Sequence, residues 1–154
     1  MVTLAKPRLY DEDFYAWTQA QAEELRRLAA TRPDLPLDLE LIAEEIQDLG
    51  KSERDAVFSL TQRIIEHLLL IECPPARHLV THWRDEIDEF RDQIARKITP
   101  TIKTQLEAEL DDVFRQASRR IDRKMRRYGE ETYADKLPTE RSFSLDQLLE
   151  ETEA

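Results

Sequence analysis

Apolar residues recur along the chain at three- and four-residue spacing, the period of helices buried on one side. Phe14, Trp17, Leu25 and Leu28 share one face, with Gln21 as a polar gap. Asp11 offers an N-cap, and Glu12 and Asp13 suit the positive end of a helix dipole. The pattern predicts a first helix from about 11 to 32, with Tyr10 placed to pack on its first turn. Pro33 stops it, because the residue before a proline avoids the α region. Residues 32–37 then form a stiff linker.

The next stretch is longer. At about 100° per residue, Leu39, Ile42, Ile46, Leu49, Val57, Leu60, Ile64, Leu68 and Ile71 fall within one arc. Asp38 is the N-cap, with Leu37 and Ile42 at the positions of a hydrophobic staple. Because the phase survives Gly50, one helix over 38–72 is favoured, bent at that glycine. The rival reading stops at Gly50 and restarts at Ser52, with Asp55 as its capping partner.

Pro74 and Pro75 close this element. A third helix, about 76–98, carries Leu79, Trp83, Ile87, Phe90, Ile94 and Ile98 on one face. Thr99 caps a fourth that opens on Pro100, where the missing N–H does no harm. Its face reads Ile102, Leu106, Leu110, Val113, Ala117, Ile121, Met125 and Tyr128, and Gly129 is a natural stop. Ser144 and Gln147 make a capping box for a short helix over 144–151. The expectation is all-α: an antiparallel bundle of four long helices plus a short C-terminal helix, one domain over 1–154. Its ordered core is expected at about 10–128, with 129–154 as a tail.

Composition reinforces this. With 2 Gly and 36% charged residues the chain suits helices better than sheets. A single cysteine, Cys73, allows no internal disulfide and fits a reducing compartment. No secretory leader is visible, and the longest aliphatic run, residues 68–71, is far too short for a membrane helix. A cytoplasmic protein is expected. The net charge of −10 disfavours nucleic acid and anionic lipid as partners.

Several segments look familiar in this order. They are Tyr10 to Trp17, Asp38 to Arg54 (above all Ala-Glu-Glu-Ile and Leu-Gly-Lys-Ser-Glu-Arg), His67-Leu68-Leu69, Trp83-Arg84, and Ser144 to Leu149. Together they resemble the bacterial domain-of-unknown-function family 29 over nearly the whole length. The resemblance implies a compact helical protein and carries no activity with it. Residues 77–82 depart from the family pattern, which more often has basic and small residues there.

Four constellations bear chemistry. His78, His82 and Glu86, at i, i+4 and i+8, lie along one side of a helix and could share a metal. Leu79 following His78 breaks the zincin signature, and solvated flank histidines are the plainer reading. Glu53 and His67 fall inside the apolar arc and are expected to be buried polar groups. Some 21 Å apart along the axis at 1.5 Å per residue, they cannot partner one another. Near the Pro74-Pro75 turn, His67 is expected to satisfy backbone carbonyls. Glu44, Glu45 and Asp48, with Glu40, form an acidic band that either faces solvent or docks a basic partner. Finally, residues 115–127 hold seven basic side chains against Asp122. Arg119, Arg120, Arg123 and Arg127 could track phosphates, although bases at a helix C-terminus also answer its dipole.

No phosphate loop or Cys-x-x-Cys is present in the sequence, Cys73 stands before Pro74 with no evident base beside it, and a serine triad has no local support. The favoured reading is a non-enzymatic helical module that binds another protein or a second copy of itself, with no cofactor. The alternative is a metal-binding bundle, in the extreme a metal-dependent enzyme, built on His78, His82 and Glu86.

Overall fold

A computed structural model describes residues 8–150, and these residues are all-α, without a strand. In chain order the helices are α1 (Leu9–Glu12), α2 (Phe14–Thr31), α3 (Leu39–Glu72), α4 (Val80–Lys97), α5 (Pro100–Arg127), α6 (Glu131–Ala134) and α7 (Leu145–Leu149). A 3-10 turn, Arg77–Leu79, precedes α4. No helix among the described residues is long and apolar enough to cross a membrane. The chain divides into two compact units: residues 1–55 with 98–104, and residues 56–97 with 105–154.

In the first unit the cap of the long N-terminal helix is Asp13, not Asp11. Leu9–Glu12 closes a separate single turn, and the Asp13 carboxylate accepts the Ala16 N–H at 3.0 Å. The other carboxylate oxygen accepts from the backbone N–H and hydroxyl of Thr101, at 2.8 and 2.6 Å, so one side chain ties the starts of α2 and α5. Tyr10 sets its ring edge-on against both Phe14 and Trp17. Asp38 caps α3 through Leu41 N–H, and Thr99 caps α5 through Ile102 N–H.

Gly50 lies within continuous α3 and does not end it. Its role is proximity. A Cβ there would lie 2.8 Å from Gln19 Nε2 and 3.1 Å from Thr18 Cβ. The unit therefore packs through small residues, with Thr18 and Ala22 on α2 and Ala43 and Gly50 on α3 fully covered. Leu39 joins them, while Ile42, Leu49 and Leu28, expected inside, are exposed. Size explains the difference: with Gly50 set this close to Thr18 and Gln19, a larger side chain does not fit there.

In the second unit α3 is covered over most of its circumference, with Val57, Leu60, Thr61, Ile64, Ile65, Glu66, Leu69 and Leu70 all buried. From α4 come Trp83, Ile87 and Ile94. Leu79 is partly exposed because the 3-10 turn sets it out of phase with α4. The buried face of α5 in this unit is Leu106, Leu110, Val113, Ala117, Ile121 and Met125. It ends as expected: Gly129 has φ +73°, Glu130 N–H bonds the Met125 carbonyl and Gly129 N–H the Arg126 carbonyl, a Schellman closure.

The segment after Gly129 is no loose tail. It buries Ala134, Leu145 and Leu148 and sets Phe143 against Phe114. Arg91 also donates to the Leu148 carbonyl at 2.8 Å. Both arms of the Ser144–Gln147 capping box are formed, and α7 ends at Leu149. Glu151, the expected last residue of that helix, lies outside the described residues.

Candidate functional site

Small-residue packing in the first unit has a consequence for its surface. Leu41 and Leu49 are 50% exposed and Ile42 37%, on the helix that carries the acidic band. Ile42, Ile46 and Leu49 follow i, i+4, i+7 and form one stripe, with Ile46 half-buried. Glu45 stands three residues after Ile42 and four before Leu49, on the flank of that stripe. Leu41, Glu44 and Asp48 line a neighbouring groove of about 480 Å³, together with Asp38, Glu40 and Gln47. Its cations are Arg26 and Lys51, and Arg26 is engaged by Gln47 at 2.8 Å. Glu44, Glu45 and Asp48 are all exposed. The arrangement is an apolar stripe and an acidic groove side by side.

The other candidate residues fall elsewhere. Glu53 is partly exposed, not enclosed as expected. His67 does not bond backbone carbonyls. Its Nε2 hydrogen-bonds Glu86, its ring meets Phe90 edge-on, and its Nδ1 is buried without a partner. The hydrogen bond from His67 holds the Glu86 carboxyl below its ordinary value, with His82 contributing.

His78, His82 and Glu86 do not come together as a triad. His78 sits on the 3-10 turn outside α4, and Glu86 is taken by His67 and by His82 Nε2 at 3.1 Å. Among the described residues no three His, Cys, Asp or Glu side chains are disposed to hold a metal. Burial pushes the Cys73 thiol up, away from nucleophilic character.

The basic run on α5 separates. Arg119 lines a cavity with Phe114 and Leu137, Arg120 and Arg127 line another with His67, Glu86 and Arg63, and Arg123 reaches both. That meeting of the run with His67 was not visible in the sequence, where the two are more than fifty residues apart. The buried carboxylate of this region is Glu66, which sequence reasoning passed over. Gln62 donates to it at 3.3 Å, and Arg120 lies 3.5 Å away. An acid in a run of Leu and Ile was the available signal.

The described residues define an all-helical protein. The chain belongs to the family described as "Domain of unknown function DUF29", whose sequence pattern matches residues 9–152. It is similar to an α-helical protein of unknown function from Rhodospirillum rubrum ATCC 11170, known from a crystal structure. The two are 30% identical, with a TM-score of 0.78, over 95% of this chain and 92% of that one. Comparison with curated proteins finds no match.

Proposed function

We propose that the protein is a non-enzymatic interaction module whose first unit captures a basic amphipathic helix of another protein. The observation that carries this is the exposure of Leu41, Ile42 and Leu49 beside Glu44, Glu45 and Asp48. Apolar residues at helical spacing suit a helix laid against them, and the acidic rim selects a cationic one. A second copy would set Glu45 and its neighbours against like charges, which argues against self-pairing. A cytoplasmic setting fits the lone cysteine.

Antiparallel packing of neighbouring helices belongs to the same reading. Within the first unit Gln19 reaches Gln47 and Arg26 reaches Glu40, so contacts climb α2 as they descend α3. Within the second, His67 meets Glu86 and Arg63 meets Phe90, the same relation between α3 and α4.

The test uses two synthetic amphipathic helical peptides, one of Leu and Lys and one of Leu and Glu, with binding read by fluorescence anisotropy. The protein is expected to bind the Leu/Lys peptide and to reject the other. Glu44→Lys, Glu45→Lys and Asp48→Lys together should weaken that binding about tenfold and favour the Leu/Glu peptide. Ile42→Ser with Leu49→Ser should weaken both. Equal binding of the two peptides, or self-association in sedimentation that Ile42→Ser and Leu49→Ser abolish, overturns the proposal.

A further inference from the structure

The second unit holds a cavity of about 770 Å³ that the interaction reading does not use. Its volume lies within the range of small-molecule sites, roughly 300–1,000 Å³. Two helices bring cations to it: Arg63 from α3, and Arg120, Arg123, Lys124 and Arg127 from α5. Phe90, Leu70, Ile121 and Tyr128 supply apolar and aromatic wall.

The acids present do not neutralise this set. Glu66 is buried and satisfied by Gln62 and Arg120, and Glu86 is held by His67 and His82. Among the described residues Arg123, Lys124 and Arg127 pair with no carboxylate, although the chain has 33 acidic residues to offer. The helix dipole accounts for part of the basic α5 terminus. Arg126 answers that need on the other side of the helix, where Asp122 at 3.1 Å and Asp135 at 2.8 Å engage it. Neither the dipole nor a helix end explains Arg63, which lies in the interior of α3 and stacks over Phe90 at 5.8 Å. Uncompensated like charges gathered around a concave, partly aromatic wall are stabilised by a multiply charged anion. An anion with three oxygens suits guanidinium forks arriving from two directions.

We propose that this cavity binds a small phosphate monoester whose body is planar or apolar. The phosphate is held by Arg63, Lys124 and Arg127, and the body rests against Phe90 and Tyr128. A polynucleotide is the weaker match, because the cations close on a cavity instead of tracking along a face, and Arg119 and Arg126 point elsewhere.

Isothermal titration with adenosine 5′-monophosphate, adenosine and inorganic phosphate tests this on the full chain. The monophosphate is expected to bind, inorganic phosphate to bind at least tenfold more weakly, and adenosine not at all. Arg63→Gln and Arg127→Gln, both at exposed positions that leave the fold intact, should each weaken monophosphate binding about tenfold. Arg115→Gln removes the same charge from α5 outside the cavity and should leave binding unchanged. Three results overturn the proposal: no binding of the monophosphate, equal loss in Arg115→Gln, or a short RNA that binds more tightly than the monophosphate with steep salt dependence. Inorganic phosphate binding as tightly as the ester overturns the recognition of the body.

Discussion

Gly50 shows how one missing side chain organises a surface. It sits against Thr18, which is fully buried and whose hydroxyl donates to the Tyr15 carbonyl at 2.7 Å, so Thr18 cannot swing away. Gly50→Ala gains about 1 kcal/mol of helix propensity. It also forces a methyl group into Thr18, and overpacking of this kind costs about 1–3 kcal/mol. With so little freedom at Thr18 the second effect wins, and Gly50→Ala should destabilise the protein by up to about 2 kcal/mol in urea unfolding. Adding Thr18→Ala should recover part of that loss, because it removes the hydroxyl that the new Cβ strikes. Simple additivity of the two changes would show that the contact is not the cause. Residue type alone cannot reveal this role: a glycine that breaks a helix and one that admits a neighbour look alike in sequence.

At the scale of elements, legibility followed the size of the buried side chains. On α5 large apolar residues do the packing, and from Ile102 to Met125 the expected face is the buried face. On the first half of α3 the buried line through Leu39, Ala43 and Gly50 is turned about 50° from the arc of large residues, at 100° per residue. Helical period was therefore readable there and phase was not. The candidate face lies in that discrepancy: Glu44, Glu45 and Asp48 were evident as an acidic band, but the exposure of Ile42 and Leu49 beside them was not. The C-terminal segment differs again. Its capping box was plain in Ser144 and Gln147, whereas its burial depended on a docking surface far away in sequence. Burial should then outweigh the cap. Leu148→Ala, at a fully covered position, is expected to cost about 2–4 kcal/mol, and Ser144→Ala about 1 kcal/mol. Denaturant unfolding of the two variants compares them directly, and a Leu148→Ala cost below that of Ser144→Ala would mean that α7 is held by little more than its cap.

For the whole molecule the acid limb of stability follows from two carboxylates. Burial raises the Asp13 carboxyl, but hydrogen bonds from Thr101, Ala16 and Thr99 outweigh it and hold the group below its ordinary value. Glu86 is depressed chiefly by its hydrogen bond from His67. A carboxyl lowered in the folded state binds fewer protons than it does unfolded, so stability rises with pH across the interval between the two values. The contribution is complete above the unfolded value, near pH 4 for either residue, and is lost as pH falls through the folded value. Each proton taken up on unfolding adds at most about 1.4 kcal/mol per pH unit to the slope. Asp13 is buried and should carry the larger share; solvent screens Glu86, which is about a third exposed. Unfolding free energies measured from about pH 2.5 to about pH 5.5, a window spanning about 1.5 units on either side of that value, should rise and then level off. Asp13→Asn should flatten the rise most, Glu86→Gln less, and the double variant most of all. The exposed Asp34, lowered by its bond from Arg32, should add little, so Asp34→Asn serves as the control. If Asp13→Asn left the acid slope unchanged, the tie from α2 to Thr101 would not be formed in solution, and the start of α5 would need another anchor.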